Sequence, residues 1–339
     1  MKKRVLVLLG IFCLLAVSSK AWWQQGHFVV ADIAYQSLSD SNRVVVDGLL
    51  ASHPEYVTWS NVYQMNPALH SISLGEFVFA SASVWADDIK NKTSPYYNTD
   101  FNHYNRHFVD YPLVWPAFLP DKTRPAPTDD AIYGIQVCEN DITNLALSNY
   151  DRAAYLAVLV HYIGDVHQPL HCANFFKTNS LGADESDLYT NGDAGGNLFR
   201  VMTSPGVTNN LYAIWDSALG SDTDFTIQTR ATAASLLTAY PRSVFPQLAA
   251  DTNAESWCWE SRNLAVTNCY RYAGIDVIGK TNYLQTQLLP AGYLANVTDV
   301  SRRQVTLGGY RLADEIARLF PTRIPPRPPQ NPRIIDSSP

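Results

Sequence analysis

Apolar side chains recur at helical spacing along most of this chain. From His27 to Leu38 they fall at Val29, Val30, Ile33, Ala34 and Leu38, which is one face of a helix. The same period predicts helices over Arg43–Leu50, Leu74–Ile89, Asp129–Leu147, Arg152–Val166, Phe225–Tyr240, Ala254–Val266 and Thr298–Phe320. Strand-like alternation is scarce. Two intervals, Asn91–Thr128 and Cys172–Asn210, carry Pro, Gly, Asn and Tyr and are too long for simple connectors. They are expected to be functional loops, the second with room for a short hairpin around Asn197–Thr203. With no internal repeat and no linker between two cores, the pattern predicts an all-α fold, one mainly helical domain over residues 22–320. The Pro-Pro pairs beyond Pro321 predict an extended or disordered tail over residues 321–339.

The amino terminus breaks this pattern. Met1-Lys2-Lys3-Arg4 precedes an apolar core from Val5 to Val17 and a small-x-small site at Ser19-Lys20-Ala21, the layout of a secretory signal cleaved after Ala21. That core is short for a bilayer span and no later segment approaches the length required, so a secreted or periplasmic protein without stable membrane association is expected. Asn91-Lys92-Thr93 and Asn296-Val297-Thr298 would be glycosylation acceptors only in a eukaryotic route. Cleavage also exposes an α-amine on Trp22, five residues before His27. Such an amine titrates near ~8 and can yield its proton to a metal.

Composition, 46% hydrophobic and 17% charged, allows a large core. Without Lys2, Lys3, Arg4 and Lys20, 21 basic side chains of the 25 remain against 31 acidic ones, a formal charge of −10. This argues against a basic surface that coats nucleic acid, but not against a phosphate substrate, since bound divalent cations would supply local positive charge. Cys138, Cys172, Cys258 and Cys269 allow two disulfides in an oxidising compartment. Pairing of Cys138 with Cys172 and of Cys258 with Cys269 is the preferred expectation among three.

Candidate chemistry concentrates in His161-Tyr162-Ile163-Gly164-Asp165-Val166-His167-Gln168-Pro169-Leu170-His171, directly behind the apolar run Leu156–Val160. His161 and Asp165 are four apart, so a helix stacks them on one face, and Pro169 disturbs the helix so that His171 can fold back. One helix end would then offer several zinc ligands. An isolated H-x-x-x-D is more often a buried hydrogen bond; here Asp87-Asp88, His107-Phe108-Val109-Asp110 and Trp215-Asp216 add further ligand-type groups. Each alone has an ordinary explanation, as a helix cap or an exposed loop residue.

In order, the motifs are Trp22-x-x-x-Gly26-His27, Trp85-Ala86-Asp87-Asp88, His107-Phe108-Val109-Asp110 and His161-x-x-Gly164-Asp165-x-x-Gln168-Pro169-Leu170-His171. Gly195-Gly196-Asn197, Asn210-Leu211-x-x-x-Trp215-Asp216 and Gly308-Gly309-Tyr310-Arg311-Leu312-Ala313 follow. Over most of the mature chain this set resembles the secreted zinc-dependent, single-strand-specific nucleases of the S1/P1 family. The resemblance implies a mostly α-helical fold shared with zinc phospholipases C, and a three-zinc cluster at the bottom of a cleft. Asp87, His107, His161 and Asp165 would hold one zinc. The amine and carbonyl of Trp22, with His27 and Asp165, would hold a second, and Asp165 would bridge the two. The third would take His171, Asp216 and a histidine of the family's Asn-Leu-His-x-x-Trp-Asp motif. Here that position is Tyr212. Three outcomes stay open: Tyr212 ligates as phenolate, a water fills the place, or occupancy falls, so two or three zinc ions are expected. His167, His103 and His70 are possible substitutes.

By the same resemblance, metals would acidify a bridging water toward pH ~7 for attack on a phosphodiester. Asp87 would orient that water, Lys90 would stabilise the phosphorus centre as a point charge where relatives often carry arginine, and Asn197 would contact phosphate. Phe108 would stack on a base and Asp110 would hydrogen-bond it, favouring single-stranded RNA and DNA with weak sequence preference. The products would be 5'-phosphonucleotides, with 3'-nucleotidase activity on mononucleotides, from a monomeric enzyme. Two rivals are a zinc-dependent phospholipase C, against which Phe108 and Asp110 speak, and a non-catalytic secreted binding protein, for which Tyr212 is the supporting feature.

Overall fold

The computed structural model describes residues 22–115, 128–177, 192–273, 275–276 and 286–321, and the expected signal segment and nearly all of the Pro-rich tail lie outside the described residues. Twelve α-helices follow one another among the described residues: α1 (Gln24–Ser37), α2 (Asp40–Leu50), α3 (Tyr56–Met65), α4 (Leu74–Ala82), α5 (Trp85–Asp88), α6 (Ala131–Thr143), α7 (Asn149–Asp165), α8 (Leu211–Asp216), α9 (Ile227–Ala239), α10 (Gln247–Ala250), α11 (Ala254–Leu264) and α12 (Tyr293–Leu319). The expected mainly helical architecture is therefore observed, and the short strands are accessory to it.

Helix α7 is the axis. Its N-terminus is fixed by Ser148, whose hydroxyl accepts from the backbone N–H of Asp151, and from Leu156 to Asp165 every residue is buried. A helix that is apolar all round has to be enclosed, and α1, α2, α4, α5, α6 and α12 all touch α7. Helix α12 in turn lies along α1. Gly309 permits that approach, because a Cβ there would stand 2.4 Å from Ile33 Cγ2 and 3.0 Å from the Val30 carbonyl.

Four expectations need correction. The segment predicted as one helix from Leu74 to Ile89 is broken into α4 and α5, since the Ser83 carbonyl leaves the helical ladder to accept a 2.7 Å hydrogen bond from His161 Nδ1. Helix α3 was not anticipated: it buries no residue completely, so no apolar stripe marks it. The last helix begins at Tyr293 rather than near Thr298, after Gly292 at φ 81°. The expected disulfides are not formed. All four cysteines among the described residues are buried thiols. Cys138, Cys172 and Cys258 lie in the main core while Cys269 packs in a separate cluster around Trp215 and Tyr270, so α11 and the turn after it carry Cys258 and Cys269 into different cores.

The two long intervals contain more structure than loops. Strand β1 (Pro112–Trp115) pairs in parallel with β2 (Asn174–Lys177), joining the two intervals beside the end of α7. The expected hairpin lies slightly later, as β3 (Arg200–Ser204) antiparallel to β4 (Val207–Asn210), with Gly206 in the turn at φ 80°. Among the described residues no helix is long and apolar enough to cross a membrane.

Candidate metal centre

Four separate elements deliver ligand-type side chains to the carboxyl end of α7. Helix α1 carries His27, α5 carries Asp87, a 3₁₀ turn at Tyr104–His107 ends on His107, and α7 supplies His161 and Asp165 one turn apart. All five are buried. His107 Nδ1 is 2.8 Å and His161 Nε2 3.3 Å from Asp165 Oδ2, whereas His27 Nε2 approaches the other oxygen, Oδ1, at 3.3 Å. Asp165 thus faces different imidazoles through its two oxygens. Asp87 Oδ1 lies 3.5 Å from His161 Nε2 and 3.8 Å from His107 Nδ1. The ring of His27 stacks on that of His161, centroids 3.9 Å apart.

The backbone fixes these orientations. His161 Nδ1–H donates to the Ser83 carbonyl, which fixes the ring so that Nε2 is the nitrogen turned to the carboxylates. Gly164 supplies the space for His27: a Cβ at that position would meet His27 Nδ1 at 2.8 Å. Trp22 is fully buried, its indole N–H donating to the Gly164 carbonyl at 3.1 Å, and the N–H of Trp23 donates to the Asp216 carbonyl at 3.1 Å. The start of α1 is therefore tied to both α7 and α8. Pro169 opens a 3₁₀ turn, Pro169–Cys172, which returns His171 toward the site; its Nδ1 donates to the His107 carbonyl at 2.6 Å.

Electrostatics follow from enclosing so many ionisable groups. Burial by itself would raise the carboxyl of Asp165, but the imidazoles of His161 and His107 hold it well below the usual carboxylate range. For Asp87, burial is likewise overcome, here by the Lys90 ammonium 2.5 Å away and by His161, and the group is held below its ordinary value. Burial lowers His107 to about 3, with Lys90 acting in the same sense, and lowers His27 and His171 as well. Asp216 is pushed well above its usual value, by burial first and then by Asp87 and Asp165. His161 moves the other way, burial being outweighed by Asp165 and Asp87, which raise it. Imidazoles facing carboxylates are the donor set of a divalent transition metal. Two groups have ligand atoms within 4.8 Å of one another, His27–Asp87–His161 and His107–His161–Asp165. Asp165 Oδ1 accepts no well-formed hydrogen bond from the protein, the condition of a buried oxygen awaiting a cation. The residues present fit a metal centre.

Beside it opens a cavity of about 430 Å³ whose walls include Tyr104, Phe108, Asp110, His171, Asn197 and Tyr212. The phenol of Tyr212 lies 2.8 Å from His171 Nε2. Gly195, at φ 63°, brings the Asn197 loop against the Leu170 carbonyl, which a Cβ would meet at 2.6 Å. Burial, with Asp130 nearby, raises Asp110 to about 6. Lys90 Nζ lies over the Tyr104 ring, 5.9 Å from its centroid.

All the residues singled out from the sequence thus lie at or next to this end of α7. The three substitute histidines are engaged elsewhere: His167, just past the end of α7, bonds Ile163 and Arg311, His103 faces the Asp100 carbonyl, and His70 faces the Tyr63 carbonyl. Sequence reasoning missed Tyr104 and the carbonyls of Ser83 and His107. An aromatic three positions before His107 was the only available signal for the first, and backbone acceptors leave none.

Residues 22–321 match the family described as S1/P1 Nuclease. The chain is similar to Endonuclease 3 of Arabidopsis thaliana, 26% identical over 319 residues, covering 88% of this chain and 89% of that protein. It is also similar to Endonuclease 4 of the same plant, 24% identical over 315 residues, covering 89% and 90%.

Proposed function

Because the chain belongs to the S1/P1 nuclease family, we propose that it is a secreted or periplasmic, zinc-dependent phosphodiesterase. In this reading it hydrolyses single-stranded RNA and DNA to 5'-phosphonucleotides and also removes the 3'-phosphate of mononucleotides. The observation that carries it is the convergence of His27, Asp87, His107, His161 and Asp165 beside a cavity walled by Phe108 and Asp110. Zinc bound there supplies Lewis acidity toward water and phosphoryl oxygens.

The ligands in this reading are His27, Asp87, His107, His161 and Asp165, together with the amine of Trp22 once residues 1–21 are removed; His171 and Asp216 stand beside them. Asp87 orients the attacking water. Lys90, held by Asp87, places its ammonium at the edge of the site and balances charge that accumulates on phosphorus-bound oxygens. Asn197 presents its side chain to the phosphate from the cavity wall. Phe108 stacks on the base next to the cleaved bond and Asp110 accepts its hydrogen bonds, contacts that demand an unpaired, unstacked base.

The test uses the chain that starts at Trp22. Its zinc content and its hydrolysis of single-stranded RNA, duplex RNA and phosphatidylcholine vesicles are measured before chelation, after chelation and after zinc is restored. Zinc-restored cleavage of the single strand well above the duplex is expected, and Asp165→Asn should lower it by about 10³-fold or more, since one residue faces both cation positions. Hydrolysis of lipid alone would overturn the nuclease reading in favour of a phospholipase.

A further inference from the structure

We propose that the Tyr212 hydroxyl occupies the place of a third cation, so that this chain's centre takes two divalent ions and keeps His171 as a hydrogen-bond acceptor instead of a ligand. The inference rests on the metal-centre reading above and departs from the three-ion cluster that the family resemblance implies.

The hydrogen-bond pattern of His171 carries it. Nδ1 lies 2.6 Å from the His107 carbonyl oxygen. A carbonyl only accepts, so Nδ1 bears the proton and Nε2 holds the lone pair. Nε2 in turn lies 2.8 Å from the Tyr212 oxygen, and with no hydrogen on Nε2 the phenol has to donate. The one lone pair that His171 can offer a metal is therefore already engaged. His161 has its Nδ1 tied to a carbonyl in the same way, and its Nε2 lies 3.0 Å from His107 Nδ1 and faces Asp87 and Asp165, inside the converging ligand groups to which His171 does not belong.

Donor count points the same way. Zinc takes three or four protein ligands in its usual sites. Among the described residues, the groups of three His, Cys, Asp or Glu with converging ligand atoms are the two at His161, and neither contains His171 or Asp216. Without an imidazole at position 212, the third place is left, among the described residues, with one engaged histidine and one carboxylate.

Size completes the argument. A tyrosine oxygen stands roughly 2 Å farther from its Cβ than a histidine Nε2, about the length of one zinc–nitrogen bond. A histidine at 212 would stop short of His171 by the room an ion needs, whereas the phenol crosses that room and meets His171 directly. The reach is fixed, because Asn210 caps α8 by accepting from the Ala213 N–H at 2.6 Å, and the Tyr212 N–H donates to the Gly196 carbonyl at 3.3 Å.

The experiment is a count of zinc per chain on protein beginning at Trp22, loaded with zinc, freed of excess over a chelating resin and assayed by elemental analysis. Two ions are expected for the wild type, two for Tyr212→Phe and three for Tyr212→His. Three in the wild type overturns the proposal, as does a Tyr212→His protein that stays at two. If Tyr212→His fails to fold, anomalous scattering at the zinc edge from wild-type crystals decides instead: a peak between His171 and Asp216 refutes the proposal, and peaks confined to the His27 and His107 sides support it. A wild type with two ions that cleaves no single strand leaves the count standing and sinks the nuclease reading, so the two failures are separable.

Discussion

Asp110 illustrates how one residue's surroundings tune a contact. Enclosure in the cavity wall, with Asp130 near, lifts its carboxyl from 3.8 to about 6. In the native state it therefore keeps its proton to higher pH than in the unfolded chain. Its contribution to stability is full below about pH 3.8 and is lost as pH rises through about 6. Base recognition runs the opposite way, since the carboxylate is the better acceptor. KM for a single-stranded oligonucleotide should fall as pH rises from about 5 to 7, with a midpoint near 6, and Asp110→Asn should flatten that limb. Steady-state kinetics across this range give the answer, and an unchanged profile in the variant would remove Asp110 from base recognition. Of the same kind are His161 and Asp165, whose four-residue spacing announces a shared helical face. The carbonyls that lock the imidazoles, from Ser83 and His107, were illegible because a backbone oxygen has no residue type.

Between elements, close approach decides whether side chains can meet. Helices α1 and α7 cross where Gly164 leaves His27 its volume, and α1 and α12 cross where Gly309 admits Ile33. Alanine at the two positions should act differently. Gly164→Ala should displace His27, costing at least one order of magnitude in zinc affinity while changing stability little. Gly309→Ala should cost about 1–3 kcal/mol of stability, because Ile33 and the Val30 carbonyl cannot both yield, and should leave the zinc count intact. Denaturant melts paired with metal analysis distinguish the two, and equal effects on both readouts would mean that the crossings are not separable. The elements themselves were largely visible in the apolar period. The break between α4 and α5 was not, since it is caused by His161 from a distant helix, and α3 was not, since it buries no full face.

At the scale of the whole molecule, the segment that leads into α1 is an integral part of the site. Trp22 is sealed in the core with its indole on Gly164, and Trp23 is tied to Asp216. If the α-amine is a ligand, as proposed, two additional residues before Trp22 convert it to a peptide nitrogen that cannot bind zinc. The extended protein should then carry less zinc and lose about 10- to 100-fold in activity, with trypsin-resistant core and far-UV circular dichroism unchanged. Full zinc and full activity in the extended form would exclude the amine. By itself the sequence determined the helical architecture, the ordered set of ligand-type residues and the departure at Tyr212, because helical period, residue chemistry and i, i+4 spacing are local properties. Only the tertiary structure decided which of those residues meet, which imidazole nitrogen faces inward and what the Tyr212 hydroxyl touches. Those depend on helix crossings and backbone carbonyls brought together from positions far apart in the chain.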